Sequence, residues 1–363
     1  MPVLIRRAVA LALIALIAIA PSACRDQPEG TARVVVIGSE PKLRDPALGP
    51  LSSADQLLIA NTAQGLVRFD ANGNIVAGLA ERWNVSDDGL SYIFRLAATD
   101  LPNRRKLTAQ QVARILKRSL AIASANPLKD TLGAVEDIVA MTDRVIEIRL
   151  KAPRPNLLAL LAQPEFGIVR SGFGTGPFQV GLERGPKSEL RLTRDIGSPD
   201  GEGSRREEIL LTGAAASQAI KTFAAGDADL VVGGTFADLP AALGVKLPRG
   251  ALRFDPASGL FGLAPTRRGG ALDDAEVRRL LSQAIDRDAL TDALRVPGLV
   301  ARATVLEPGL EGVADPAQPA WLGTPIAQRR VSLTAEAERL FGSEKPTVRV
   351  YLPEGLGAHI LFD

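Results

Sequence analysis

His359 and Cys24 are the only histidine and the only cysteine of the chain, and they leave little room for nucleophilic or metal chemistry. A serine–histidine–carboxylate triad would have to use His359, near the last residue, where no nucleophile signature stands. Zinc sites draw three or four nitrogen, sulfur or oxygen ligands from clustered positions, and none cluster in this sequence. The carboxylate pairs Asp87-Asp88 and Asp273-Asp274 fall in a turn and at a helix start, where backbone hydrogen bonds account for them. Gly172-x-Gly174-x-Gly176 has the glycine content of a phosphate loop, but Pro177 and an extended segment follow where such a loop needs a helix. Gly181–Ser188, GLERGPKS, imitates a P-loop with short spacing and with Pro186 before the lysine. The residues point to no catalytic group, no metal and no cofactor.

Composition narrows the class further. The chain has 363 residues, 46% of them hydrophobic and 23% charged, which is ordinary for a globular protein with one large core or two to three smaller ones. A formal net charge of +2, with arginine and lysine interspersed among acids, predicts neither a nucleic-acid stripe nor an acidic tail. The N-terminus is a separate matter. Arg6-Arg7 forms a cationic start, Ala8 to Ala20 an apolar run too short to span a bilayer comfortably, and Pro21-Ser22-Ala23-Cys24 a stretch of small residues before polar Arg25-Asp26-Gln27. This pattern is a secretory signal. Cys24 stands where a lipoprotein signal places the lipidated residue, with Pro21 in the position usually held by an aliphatic side chain. With Cys24 so used, no disulfide can form within the chain.

The elements that would position a binding site follow from periodicity. Ala32 to Ile37 reads as a buried strand that opens into a loop, Gly38-Ser39-Glu40-Pro41, and such loops often border ligand clefts in α/β domains. Ser52 to Gln64 reads as a helix. From Leu66 to Leu96 the chain alternates as strands around two turns, Asp70–Asn74 and Asp87–Gly89, with Tyr92, Phe94 and Leu96 on one face. Thr108 and Gln111 form a capping box for a helix that carries Val112, Ile115, Leu116 and Leu120 and that Asn126-Pro127 should stop. Val145 to Leu150 is a strand and Asn156 to Ala162 a short apolar helix. Ser198 to Arg206 is a loop, and Glu208 to Leu211 a strand. Ala214 to Ala225 is a helix ended by Gly226, and Asp227–Leu230 opens the next strand. Asp273–Glu276 reads as a cap for a helix bearing Val277, Leu280, Leu281, Ala284 and Ile285. Asp286 caps another helix through Leu294. Ala335 to Phe341 reads as a helix, Thr347 to Leu352 as a strand, and Ala358 to Asp363 as the start of a helix.

The order GLVRFD-x-NGNI-x-x-GLAERW-x-VSDDGL-x-Y-x-F-x-L, from Gly65 to Leu96, resembles a signature of the bacterial extracellular solute-binding proteins of the peptide/nickel class, family 5. These are the capture components of ABC importers. Three further stretches are similar to family motifs: GTGPF (174–178), GDADL (226–230) and VRRLLSQAIDRDAL (277–290). The resemblance implies an inter-lobe strand over residues 254–266, and the chain departs from the family's pattern at Arg44, at Ala97–Arg105 and at Ala264-Pro265. The resemblance implies an α/β fold of the two-lobed, type II periplasmic-binding-protein kind, with an extra subdomain on lobe one and a second lobe that is C-terminally incomplete. The implied boundaries are a lipoprotein-type signal over 1–24, lobe one over 25–62 and 171–268, the extra subdomain over 63–170, and part of lobe two over 269–363.

In that frame Ser39, Glu40 and Phe261 match positions that border the ligand cleft, and Trp83, Tyr92 and Phe94 are core. The expectation is a monomeric solute-capture lipoprotein in the periplasm, anchored to the membrane through Cys24. It would bind a peptide or peptide-like small molecule by hinge closure and meet ABC permease subunits, with no nucleic acid and no enzymatic step. The alternatives are a diverged or truncated paralogue serving as envelope sensor or interaction protein, and, behind it, an envelope hydrolase.

Overall fold

The computed structural model describes residues 31–99, 106–170, 172–184, 188–197, 204–255, 260–267, 269–310, 313–344 and 346–362. The expected signal segment and Cys24 lie outside the described residues.

The chain begins with strand β1 (Thr31–Ile37) and helix α1 (Ser53–Thr62), then a compact run of strands, β2 (Val67–Phe69), β3 (Ile75–Ala77), β4 (Ala80–Val85) and β5 (Ser91–Leu96). Helix α2 (Ala109–Leu120), strands β6 (Val135–Thr142) and β7 (Val145–Leu150) and helix α3 (Leu157–Leu161) follow. Next come β8 (Gln179–Arg184), β9 (Leu190–Gly197), β10 (Ser204–Ala214), α4 (Ala216–Ala224), β11 (Leu230–Val232) and α5 (Leu239–Leu243). The remaining regular elements are the helices α6 (Ala275–Ala284), α7 (Arg287–Leu294), α8 (Ile326–Phe341) and α9 (Leu356–Phe362).

Two main sheets organise these elements. One has the order β11-β1-β10-β9-β8, with β1 parallel to both β10 and β11, and β9 antiparallel to its neighbours β10 and β8. Val34, Val35 and Val36 are all buried, as a central strand covered on both faces requires. Val34 and Val36 pack with Ala54 and Leu58 of α1, whereas Val35 packs with Ala219 of α4 and with Ala228. The second sheet, β4-β5-β7-β6, is antiparallel throughout. Its inner face carries Tyr92, Phe94 and Leu96 as the alternation predicts, opposite Ile146 and Ile148 and beneath Val112 and Leu116 of α2. Tyr92 keeps its hydroxyl satisfied by donating to the Arg154 carbonyl at 3.2 Å. Trp83 is half-buried against the same core.

Several boundaries differ from those read off the sequence. The capping box of Thr108 and Gln111 is present, but α2 ends at Leu120, because Ala121 already turns to extended backbone. Asn126 serves a different purpose: it is buried, donates to the Glu165 carbonyl at 2.8 Å and accepts the Leu128 amide at 2.9 Å. Strand β10 starts at Ser204 within the expected loop, since charged residues there find partners across the ladder: Arg206 with Asp195, Glu207 with Arg194, and Glu208 with Arg191. Asp274, not Asp273, caps α6 by accepting the Glu276 amide at 2.7 Å. Helix α8 begins at Ile326, well before Ala335. Residues 260–267 and 347–352 are not strands, and among the described residues no strand pairs with either.

Candidate functional site

Asp55 fixes how the chain leaves β1. Its side chain closes a capping box with Ser52 at the start of α1, accepts the Lys42 amide at 2.7 Å and pairs with Arg44 at 3.2 Å, although it is 3% exposed. One buried carboxylate therefore ties the loop after β1 to the helix that covers that strand. On the far side, the turn Thr175-Gly176 meets the last carbonyls of α1: Gly176 donates its amide to Thr62 at 2.9 Å, and Phe178 donates to Asn61 at 3.1 Å. Those carbonyls have no partner within the helix, so the turn completes the helix end.

The other neighbour of β1 is clamped by charge. Arg33 donates from its guanidinium to Asp229 at 3.0 and 3.2 Å and from its amide at 2.8 Å, and also reaches the Gly226 carbonyl at 3.0 Å. Gly226, left-handed with φ of +78°, ends α4 as the sequence predicts. The hydrogen bonds from Arg33 hold the Asp229 carboxyl below the ordinary carboxylate value. Its contribution to stability is therefore complete above the unfolded value, near pH 4, and is lost as pH falls through the lowered one. With the two side chains 40% and 35% exposed, the pair contributes no more than about 1 kcal/mol. Urea unfolding of Asp229→Asn beside the wild type should show a constant deficit from pH 7 to 5 that shrinks on acidification below pH 4. A deficit that grows on acidification would contradict this assignment.

A cleft of about 960 Å³ opens beyond the carboxyl ends of β1 and β11. This is where open α/β sheets present ligand sites, and its size is that of small-molecule pockets. Ile37, Val232 and Gly233-Gly234 form the floor, with Phe223, Phe236 and Leu239 along one wall. The opposite wall is the segment Val296–Leu310, which follows α7. Apolar side chains around it are unusually open: Leu260 is 58% exposed, Val300 60% and Val305 78%. Charges in the lining are partly committed. Arg302 pairs with Glu307, and Asp238 accepts the Thr235 amide and hydroxyl at 3.0 and 3.1 Å.

The three expected ligand positions are distributed unevenly around this cleft. Ser39 and Glu40 are exposed at the carboxyl end of β1, but their loop turns over β10, away from β11. A Cβ on Gly213 of β10 would lie 2.7 Å from the Ser39 carbonyl carbon, so glycine allows that close crossing. Neither Ser39 nor Glu40 lines the cleft. Phe261 is 47% exposed and stacks on Phe236 of the cleft wall, ring centroids 4.4 Å apart and tilted by 56°. Phe236, Gly233-Gly234 and the 296–310 wall were not singled out by sequence. A Gly-Gly pair directly after a short apolar strand was the available signal for the floor, and nothing marked the opposite wall.

The remaining candidates for chemistry are accounted for locally. Asp88 accepts the Ser86 hydroxyl at 2.5 Å and the Leu90 amide at 3.0 Å, which lowers its pKa. Asp273 accepts the Gly269 amide at 2.6 Å. His359 is exposed on α9. Among the described residues no three His, Cys, Asp or Glu side chains assemble as a metal site, and no helix is long and apolar enough to cross a membrane.

A mixed sheet with helices on both faces, joined to an antiparallel subdomain and a helical segment across a cleft, is the type II periplasmic-binding-protein fold. Solved structures agree. The chain has a TM-score of 0.68 and 20% identity to the Escherichia coli murein tripeptide binding protein MppA, covering 88% of this chain and 68% of that one. It has the same TM-score and 19% identity to a periplasmic oligopeptide-binding protein, OppAIV, from Borrelia burgdorferi, covering 92% and 72%. The profile of the bacterial extracellular solute-binding proteins, family 5, matches residues 74–341, and the chain belongs to that family. A curated relative, the probable deoxycholate-binding periplasmic protein YgiS of Escherichia coli K12, is 27% identical over 35% of this chain. The match spans 27% of YgiS.

Proposed function

We propose that this chain is the solute-capture component of an ABC importer, holding a peptide or similar small solute in the cleft outside β1 and β11. The observation that carries the reading is the cleft itself, open and largely apolar, with its two walls on segments far apart in sequence. The lobes assigned to this cleft are 25–62 with 171–268 on one side and 269–363 on the other, with 63–170 as a buttress to the first. The solute brings the walls together, and the closed form is what permease subunits recognise. Phe261, packed against Phe236, lines the approach, whereas Ser39 and Glu40, on the loop that crosses β10, stand outside the lining of this cleft. The captured class is consistent with relatives named for oligopeptides, a murein tripeptide and deoxycholate. The protein acts by binding, as a monomer, without an enzymatic step.

Binding only by the folded state must stabilise it, by about 2.7 kcal/mol at a hundredfold excess over Kd. Thermal melting with a defined pool of di- to pentapeptides, and separately with deoxycholate, should raise Tm by several degrees in at least one case. No shift with either, at millimolar concentration, would remove the support for capture. We also propose that the mature chain is held in the cell envelope by lipid on Cys24. Cys24→Ala should move the protein from the membrane fraction to the soluble one and abolish incorporation of labelled fatty acid. Unchanged labelling would contradict the assignment.

A further inference from the structure

Two arginines converge on the end of one helix with no acid to meet them. Arg287, the first residue of α7, donates to the Ser282 carbonyl at 2.6 Å and to the Ser282 hydroxyl at 2.8 Å. Arg329 of α8 donates to the next carbonyl, Gln283, at 2.7 Å. Both guanidinium groups also lie over Trp321, with their central carbons 5.4 and 5.0 Å from the ring centroid. Among the described residues neither arginine has a carboxylate within ion-pair distance, whereas Arg339 on the same helix α8 pairs with Glu276 at 2.9 Å. Two acids adjoin Arg287 in sequence: Asp286 is committed to the Ala289 amide at 3.1 Å as the cap of α7, and Asp288 is not among the charges that shift Arg287.

A purely structural role covers part of this arrangement. The carboxyl end of α6 carries about half a negative charge, and cations there are favourable. Two guanidinium groups exceed that, leaving well over one positive charge uncompensated in a half-buried place. Two observations accompany this excess. Burial and then the charge of Arg329 push the Arg287 guanidinium below its ordinary value. The Nε–H of Arg329 is buried without an acceptor, a state that native proteins seldom leave unexplained.

We infer that Arg287, Arg329 and Trp321 form a binding site for a small oxyanion, a carboxylate or phosphate group, on the helical segment and outside the cleft. Planar guanidinium groups with unused N–H donors match the oxygens of such an anion, and Trp321 holds both by stacking against them. The site sits at the amino end of α7, whose other end leads directly into the 296–310 wall. An anion there would stiffen the junction of α6, α7 and α8, from which that wall extends. This site goes beyond solute capture and does not depend on which solute the cleft takes.

Trp83 and Trp321 are the only tryptophans, so Trp83→Phe leaves one reporter at the site. Titration of that variant with sodium phosphate, and separately with citrate, at ionic strength held constant with sodium chloride, should give a saturating change in Trp321 fluorescence in the millimolar range. Arg329→Gln and Arg287→Gln should each raise the midpoint roughly tenfold or abolish saturation. Arg329→Lys, which keeps the charge at the helix end, serves if the glutamine variants do not fold, and should weaken binding several-fold because the fork of donors is lost. A response equal to that of chloride alone, or a midpoint unmoved in the folded variants, would overturn the proposal.

Discussion

Gly176→Ala is expected to destabilise the protein by about 3 kcal/mol or more, although it adds one methyl group in a surface-facing turn. A Cβ at this position would fall 2.7 Å from both the Ala63 amide nitrogen and the Asn61 carbonyl oxygen. Both atoms belong to the backbone at the end of α1, so no side-chain rotation relieves the clash. Relief requires the turn to withdraw, which breaks the 2.9 Å bond from the Gly176 amide to Thr62 and the 3.1 Å bond from Phe178 to Asn61. The last carbonyls of α1 would then lose their partners. Urea denaturation followed by far-ultraviolet circular dichroism measures the effect. Gly172→Ala, where no heavy atom lies within 4 Å but φ is +77°, is the comparison and should cost only about 1 kcal/mol. Equal losses for the two variants would show that close approach is not what glycine provides at 176.

Phe94→Ala should be at least as damaging, by about 3–5 kcal/mol. Phe94 is fully buried at 0% exposure between Trp83 and Ile146 on the adjacent strands. It belongs to the core shared with α2 and α3, and truncation leaves a cavity where the rigid ladder on both sides prevents collapse. Phe94→Leu, which keeps most of the volume, should recover more than half of the loss. A melting temperature of Phe94→Ala equal to that of the wild type would show that Phe94 is not enclosed in a tightly packed core.

These two positions also mark how far the sequence could be read. Tyr92, Phe94 and Leu96 were legible because a strand of period two that buries one face must alternate, and all three are inside. The caps were legible for the same local reason: Thr108 with Gln111, and Asp286, act on amides within three residues. Gly176 was visible as part of a turn, but its tight approach to α1 depends on a helix more than a hundred residues earlier. Asn126 illustrates the opposite case. Its type and position suit a helix stop, yet its side chain is held by the Glu165 carbonyl across a long separation. The strand at 254–266 is implied by the resemblance and that at 347–352 by local composition, and a strand without a neighbour to bond is only an extended segment.

The cleft was the least legible part. Loop residues after β1 fit a general pattern, since parallel strands deliver ligand loops at their carboxyl ends. The direction of that loop is set by the Asp55 anchor and by the crossing at Gly213, neither of which has a local pattern. Phe261 reaches the cleft wall only through Phe236, a partner that no spacing rule connects to it.

The proposed capture by closure requires the two walls of the cleft to approach each other when a solute binds. Because Cys24 is the only cysteine, Cys24→Ser provides a clean background for paired spin labels at Leu243→Cys beside one wall and Pro308→Cys on the other. Pulsed electron–electron resonance should report a shorter and narrower distance when the peptide pool is added at concentrations that raise Tm. A distance distribution unchanged under those conditions would contradict capture by closure.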